Sequence, residues 1–251
     1  MQKLQNELEK RGLTCEPIGN TLNVIGNKGI HANRVNVDPK HSLQMDAREH
    51  WFYTRGLYQV LSQPKKAIVK KWKFRLSAAS LLPSVETLSF VKGVEDASGS
   101  PALFRPLFDD LVICYGVRWD RGIHIITRAQ FQTWGVSEDR VYAGARSMLY
   151  HHSEHVKWTK SDEGLSQFQK GDGSDAARFM ILEDMFYGDI EADFRFSIPS
   201  PDSLITNYSP SDRDKVALDQ DAFEENRASY DHPLLCDAIF AFEKGKPVKA
   251  S

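Results

Sequence analysis

Three histidines and a glutamate lie together in one short segment, His151-His152-Ser153-Glu154-His155. The segment contains the His-x-x-Glu-His spacing of the inverted zincins, in which two histidines bind zinc and the glutamate acts as general base. On a helix, His151 and His155 would lie on one face, as two ligands of one zinc ion must. A metal-dependent hydrolase that uses His151, Glu154 and His155 is therefore one interpretation of the chain.

A structural interpretation competes with this metal site. Residues 156–159 have an extended pattern, which predicts that the helix over 138–150 ends where the motif begins. Histidines also suit a helix C-terminus, where the helix dipole is negative. A zincin needs a further carboxylate ligand, and neither Glu224 nor Glu225 is supported by a motif. We therefore expect no bound metal and no cofactor.

A second group of charged residues follows a glycine-rich turn. Asp175 and Arg178 are one helical turn apart, Asp172 precedes them, and Asp202 follows the end of a predicted strand. Strand ends and helix starts are where α/β folds collect ligands, so these four are candidate ligand-binding residues. The alternative is ordinary turn, cap and ion-pair chemistry, which the same spacing also predicts.

A third candidate is a basic segment predicted to be a helix over 64–79. Its cations are Lys65, Lys66, Lys70, Lys71, Lys73 and Arg75. Lys66, Lys70, Lys71 and Lys73 are candidate nucleic-acid-binding residues, because clustered cations neutralise phosphate. The helical projection instead spreads these charges over more than half the circumference and places Val69, Trp72 and Leu76 in one inward stripe. We therefore expect a solvated helix without nucleic-acid binding.

The composition is that of an ordinary globular protein. The chain has 251 residues, 41% hydrophobic and 26% charged, with a formal net charge of −2. This balance excludes bulk disorder and offers no general attraction to nucleic acid or anionic membranes. The three cysteines are far apart, which argues against a disulfide scaffold and a thiolate zinc site. With no apolar run of membrane length and no signal-peptide pattern at the N-terminus, we expect a soluble cytoplasmic protein.

Hydrophobic periodicity predicts the elements of an N-terminal lobe over residues 1–80. A helix over 1–11, strands over 13–18, 21–25 and 30–37, and a helix over 47–62 precede the basic segment. The stretch 80–108 contains several prolines and glycines, which predict an irregular connection.

The remaining residues, 81–251, are expected to form an α+β domain, continuous with the first or separate from it. The apolar run 111–117 predicts a central strand, paired with 122–126 in a hairpin. Thr127 and Ser137 are predicted helix caps. Further predicted elements are strands over 154–159, 165–170 and 191–198, helices over 175–186 and 209–230, and a frayed end over 244–251. The expected fold class is α+β, with a mixed, largely antiparallel sheet and helices packed on it.

Three segments, in order, carry a resemblance to a known family. They are Asp109 to Tyr115 continuing to Trp134-Gly135-Val136-Ser137-Glu138, then Gly171 to Arg178, then Ile198-Pro199-Ser200-Pro201-Asp202-Ser203-Leu204. Together they resemble the YtpQ-like family of bacterial proteins of unassigned function, over about residues 80–245. The chain departs from the family pattern at Pro201, where the family has arginine. The resemblance implies a fold and brings no reaction with it.

Two observations lead to the expected function. Each candidate catalytic or binding motif has an ordinary structural interpretation, and the chain has a high aromatic content. We expect a non-enzymatic protein-binding module of regulatory, accessory or immunity type, whose partner is the product of a neighbouring gene. Aromatic side chains in polar stretches are typical of such interfaces. A homo-oligomer, the metal-dependent hydrolase and a nucleic-acid accessory role are the alternatives.

Overall fold

The computed structural model describes most of the chain. The described residues are 2–26, 34–38, 40–62, 74–119, 122–154, 159–160, 165–168, 170–185, 194–207, 230, 232–243 and 246–250. Contacts between residues divide the chain into two compact units: 1–81 with 86–141, and 82–85 with 142–251. The boundary expected at residue 80 lies inside the first of these units.

The first unit begins with a helix on a small antiparallel sheet. Helix α1 (Gln2–Lys10) precedes strands β1 (Thr14–Ile18), β2 (Thr21–Ile25) and β3 (Arg34–Val37), which pair in the order β1-β2-β3. Leu4 and Leu8 are buried, one helical turn apart, and pack into the core of this unit. These elements confirm the predicted helix over 1–11 and the strands over 13–18 and 21–25, while the strand predicted over 30–37 is described only over Arg34–Val37.

Two helices of the first unit pack unusually closely. Helix α2 (Lys40–Leu43) is short, and α3 (Ala47–Leu61) begins with a capping box between Asp46 and Glu49. Gly56 of α3 meets α5 (Leu88–Ser98), where a Cβ atom on Gly56 would lie 2.2 Å from the carbonyl oxygen of Phe90. A Cβ atom on Gly93 of α5 would likewise lie 2.2 Å from the carbonyl oxygen of Tyr53. Because both contacts involve backbone atoms, neither position has room for a side chain.

Only the end of the predicted 64–79 helix lies within the described residues. Helix α4 (Phe74–Ser77) is followed by a 3₁₀ turn, Ala78–Ser80. The candidate nucleic-acid-binding residues Lys66, Lys70, Lys71 and Lys73 lie outside the described residues.

A four-stranded sheet contains the predicted central strand. Its strands are β4 (Leu81–Thr87), β5 (Phe104–Phe108), β6 (Leu111–Trp119) and β7 (Gly122–Ile125). Strand β6 lies between β4 and β5 and also pairs antiparallel with β7, which confirms the predicted hairpin. Cys114 in β6 is fully buried, and this burial raises its pKa well above the ordinary value, so the thiol behaves as a small apolar side chain.

The prediction of an irregular connection over 80–108 is wrong. This stretch forms β4, α5 and β5. All seven residues of β4 are buried, and the Thr87 side chain caps α5 by accepting a hydrogen bond from Phe90 N. The prolines did not break the strands because β4 and β5 are the end strands of the β4-β6-β5 order, where a missing N–H is tolerated.

Two capped helices follow this sheet. Thr127 forms a capping box with Gln130 at the start of α6 (Arg128–Gln132), and Ser137 Oγ accepts from Arg140 N at the start of α7 (Glu138–Ser153). Both caps were predicted. The predicted end of α7 at residue 150 is wrong, since the helix runs through His151 to Ser153. The last turn is stabilised by Lys170, whose Nζ donates to the carbonyl of His152.

The second unit contains a six-stranded sheet with an aromatic core. Its strands are β8 (Thr159–Lys160), β9 (Ser166–Phe168), β10 (Phe196–Ser200), β11 (Ser203–Thr206), β12 (Ile239–Glu243) and β13 (Lys246–Lys249), in the order β13-β12-β10-β11-β9-β8. All described pairings are antiparallel. Phe196 lies at the centre of the core and packs against Phe179, Phe240 and Phe242, with ring centroids 5.2–5.9 Å apart.

Three predictions for this unit need correction. Pro199 does not end its strand: β10 continues to Ser200 and returns as β11, which was not predicted. Residues 246–249 are not frayed, because they form β13 against β12. The predicted 175–186 helix begins as a 3₁₀ helix, Ala176–Ile181, before α8 (Leu182–Met185). Residues 155–158 of the strand predicted over 154–159 lie outside the described residues; Glu154 is a turn residue and Thr159 begins β8.

The fold class agrees with the expectation. The described residues form helices and several antiparallel sheets, an α+β fold. The predicted 209–230 helix lies outside the described residues except at Tyr230. Within the described part of the chain, every helix is too short or too polar to cross a membrane.

Candidate functional site

The second unit buries one complete ion-pair cluster, formed by Asp172, Asp175 and Arg178. Arg178 Nη1 donates to Asp172 Oδ1 at 2.9 Å and to Asp175 Oδ1 at 2.7 Å, and Nη2 donates to Asp172 Oδ2 at 2.7 Å. The three side chains are between 0% and 2% exposed. The predicted i,i+3 pair therefore exists, and Asp172 adds a two-bond fork to it.

The same guanidinium connects three elements. Its Nε donates to Ser153 Oγ at the end of α7, at 3.0 Å. Its central carbon lies 4.4 Å from the ring centroid of Phe168 in β9, within cation–π distance. Arg178 itself belongs to the 3₁₀ helix Ala176–Ile181. The cluster thus holds α7, β9 and this helix together.

The preceding turn positions the two carboxylates. Gly171 and Gly173 have φ values of 68° and 78°, which other residues rarely adopt. In this turn Gly171 N donates to Asp175 Oδ2 at 2.7 Å, and Ser174 N donates to Asp172 Oδ1 at 3.1 Å. The sequence Gly-Asp-Gly-Ser-Asp is therefore what places both carboxylates against Arg178.

On both aspartates burial raises the pKa and Arg178 lowers it, and the balance differs between the two. Burial raises the pKa of Asp175 to about 6, although the charge of Arg178 and the hydrogen bond from Gly171 N favour ionisation. At Asp172, burial is outweighed by the hydrogen bonds and charge of Arg178, so its pKa is lowered. Asp172 receives two hydrogen bonds from Arg178 and Asp175 receives one, and the charge of Asp172 adds to the rise in the pKa of Asp175.

Asp202, the fourth predicted ligand-binding residue, lies in the turn between β10 and β11. Its backbone N donates to Ser200 Oγ, and the neighbouring Pro201 carbonyl accepts from Ala176 N. The turn therefore touches the start of the 3₁₀ helix. The geometry of the other three residues is that of a closed structural cluster, and a ligand-binding role for the four stays a prediction.

An open cleft lies on the helices that this cluster organises. Its volume is about 720 Å³, and its lining residues come from α7 and α8: Tyr142, Ala143, Arg146, Ser147, Tyr150, Glu183 and Asp184. Tyr142, Arg146 and Tyr150 are spaced by four residues, which places them in one row along α7. Small residues between them, Ala143 and Ser147, leave the space that the cleft occupies.

Arg146 connects the two walls of the cleft. Its Nε donates to the carbonyl of Met180 at 3.1 Å, and its Nη2 donates to Asp184 Oδ2 at 2.5 Å. Met180 and Asp184 follow Arg178 closely along the chain. The segment that carries Glu183 and Asp184 is therefore held by the buried cluster at Arg178 and by Arg146 at Met180 and Asp184. The side chains of Arg146 and Asp184 are 39% and 40% exposed, and both are accessible from the cleft.

The histidine motif is only partly described. His151 and Glu154 both lie at the end of α7, with His151 Nδ1 3.5 Å from Glu154 Oε1 and the His151 side chain 62% exposed. His155, Glu224 and Glu225 lie outside the described residues. Among the described residues, no three histidine, cysteine or acidic side chains are grouped so that they could hold a metal ion.

Comparison with known proteins gives no relative for this chain. No family model, no curated protein and no solved structure matches it.

The cleft was not predicted from the sequence, although part of its signal is present there. Two tyrosines and an arginine at intervals of four indicate one helix face once the 138–153 helix is recognised. The facing residues, Glu183 and Asp184, are more than thirty positions further along the chain. Only the tertiary structure brings them to the same cleft.

Proposed function

We propose that this chain is a non-enzymatic protein-binding module that acts in the cytoplasm in a regulatory, accessory or immunity-type role. The observation that carries the proposal is the row of Tyr142, Arg146 and Tyr150 along one open cleft of α7. Tyrosine and arginine are among the residues that dominate binding energy at protein interfaces. The walls are polar and aromatic, as such surfaces are.

The dimensions of the row suit a segment of a protein partner. From Tyr142 to Tyr150 a helix rises about 12 Å, the length of about four extended residues or two helical turns. The fixed position of Arg146, held by Met180 and Asp184, means that little side-chain entropy is lost when a partner binds. The cleft is therefore proposed as the centre of the interface, with exposed residues of α7 at its rim.

The resemblance to the YtpQ-like family belongs to this proposal. Its second segment, Gly171 to Arg178, is the one that contains the buried cluster. We infer a bacterial protein whose partner is encoded by a neighbouring gene.

Site-specific photo-crosslinking in cells tests the proposal. A benzophenone amino acid at Ser147, inside the cleft, should capture one protein, identified by mass spectrometry and then purified. The matched control places the same group at exposed Asp237 of the same unit, outside the cleft lining. Capture of the same set of proteins from both positions, or of none from Ser147, contradicts the proposal.

A metal-dependent hydrolase is the second candidate, because one observation favours it. Helix α7 includes His151, so the first half of the His-x-x-Glu-His motif has the helical geometry that a zinc site needs. Analysis of bound zinc, described in the Discussion, separates the two functions.

A further inference from the structure

The walls of the cleft carry an excess of negative charge. Glu183 and Asp184 contribute two carboxylates, and Arg146 contributes one guanidinium, which leaves a formal charge of −1. Arg146 is already committed to Asp184 Oδ2 and to the Met180 carbonyl. An anionic ligand would therefore meet a neutralised arginine and a neighbouring Glu183 carboxylate, and it would be repelled.

Acceptor atoms are available on the acidic wall. Within the described part of the chain, neither oxygen of Glu183 nor Oδ1 of Asp184 accepts a hydrogen bond. Glu183 is exposed, and its place in the lining makes it accessible to a ligand in the cleft. Two tyrosines, Tyr142 and Tyr150, line the same cleft.

We propose that the cleft binds a basic side chain, an arginine of the protein partner. The inference rests on the proposed function and names the group that anchors the partner. The partner's guanidinium donates to Glu183 and to the second oxygen of Asp184, as carboxylates bind arginine. Its flat face lies against a tyrosine ring, and its aliphatic stem covers Ala143.

Arginine fits this surface better than lysine. A guanidinium offers several donors in one plane, which can serve two adjacent carboxylates at once, and it stacks on aromatic rings. An ammonium is a compact, strongly hydrated charge that satisfies fewer of these acceptors in one geometry. The two carboxylates would attract arginine and lysine alike, so stacking on a tyrosine ring is what favours arginine.

The test uses small probes and does not require the partner. N-acetyl-arginine amide and its neutral isostere N-acetyl-citrulline amide are titrated into the full chain and followed by NMR. We expect the arginine probe to shift amide signals of residues 142–150 and 182–185, with at least five-fold tighter binding than the citrulline probe. Glu183→Gln should weaken the arginine probe at least three-fold, whereas Asp237→Asn, which removes an exposed carboxylate outside the cleft lining, should leave its affinity unchanged.

The outcomes separate this inference from the proposed function. Equal binding of the two probes, or shifts that avoid α7 and α8, overturns the arginine anchor. If Ser147 still captures a specific partner in cells in that case, the protein-binding function stands with a different anchor. If the arginine probe binds as expected and no partner is captured, the cation site stands and the proposed function fails.

Discussion

Asp172 and Arg178 face each other inside the second unit as a two-bond fork, with Nη1 2.9 Å from Oδ1 and Nη2 2.7 Å from Oδ2. Both side chains are excluded from solvent. Since Nε of the same arginine binds Ser153 at the end of α7, this fork fixes the helix that carries the tyrosine row of the cleft. The buried cluster supports the candidate site without forming part of it.

The first prediction concerns the stability that the cluster provides. Arg178→Met should lower the free energy of unfolding by about 3–5 kcal/mol, because it leaves Asp172 and Asp175 buried without their cation. Arg178→Lys should lower it less, since the charge stays and the fork is lost. Urea denaturation measures both. The control is Arg128→Lys, in a pair whose side chains are 41% and 37% exposed, where we expect a change of at most about 1 kcal/mol. A loss no larger for Arg178→Met than for the control would contradict the structural role.

The second prediction concerns pH. Burial raises the pKa of Asp175 to about 6 from an ordinary 3.8, so the folded state binds this proton more tightly than the unfolded state. The contribution of this group to stability therefore falls as the pH rises from about 4 to about 6. Asp172 acts with the opposite sign and in a lower range: its lowered pKa contributes stability that is lost as the pH falls below its ordinary 3.8.

Asp175→Asn isolates the first of these effects. Between pH about 4 and 6, the free energy of unfolding of this variant should rise more with pH, or fall less, than that of the wild type, whatever its absolute stability. An unchanged slope would show that Asp175 does not titrate in this window.

The third prediction tests the contact between α3 and α5. Gly56→Ala places a Cβ atom 2.2 Å from the Phe90 carbonyl oxygen, and the helices must separate to admit it. We expect a loss of about 1–3 kcal/mol from overpacking, even though alanine favours a helix by about 1 kcal/mol over glycine. Thermal or urea unfolding measures it. Ser89→Ala, a half-buried position of α5, is the control and should change stability by about 0.5 kcal/mol or less. A stabilised Gly56→Ala variant would show that the helices are not in contact at this position.

The fourth prediction separates the binding module from the hydrolase. We expect no stoichiometric zinc in purified protein, because His151 is exposed and lies beside Glu154 in the final turn. Elemental analysis provides the measurement, with the His151→Ala, His155→Ala double variant as control. About one zinc per chain in the wild type, lost in the double variant, would establish the metal site.

Sequence patterns predicted the elements whose signals are local. The hairpin of β6 and β7 follows from an apolar run and a turn, and the Thr127 and Ser137 caps follow from single residues before helices. Such signals lie within a few positions along the chain, so a sequence is enough to find them.

Prolines account for most of the missed strands. Pro83, Pro106, Pro199 and Pro247 all lie within strands, although proline usually interrupts one. Three of these strands, β4, β5 and β13, stand at the ends of their strand orders, and β10 has a register irregularity between Ser197 and Ser200. Proline is tolerated at sheet edges and bulges, and a sequence does not reveal which strand is at an edge.

The candidate site could be predicted only in part for a related reason. The spacing of Asp175 and Arg178 predicts an ion pair, and the structure contains it. The contacts of Arg178 with Ser153 and Phe168, and those of Arg146 with Met180 and Asp184, join distant positions. No local pattern specifies these contacts.

The central claim is that the α7 cleft is where a protein partner binds. Its most direct test is the affinity of the partner captured at Ser147 for the Tyr142→Ala, Tyr150→Ala double variant, measured by isothermal titration calorimetry. We expect at least ten-fold weaker binding with an unchanged unfolding transition. Leu43→Ala, which removes a large apolar side chain 69% exposed in the first unit, should change the affinity by less than two-fold. Undiminished affinity in the tyrosine variant, or a larger loss with Leu43→Ala, would contradict the claim.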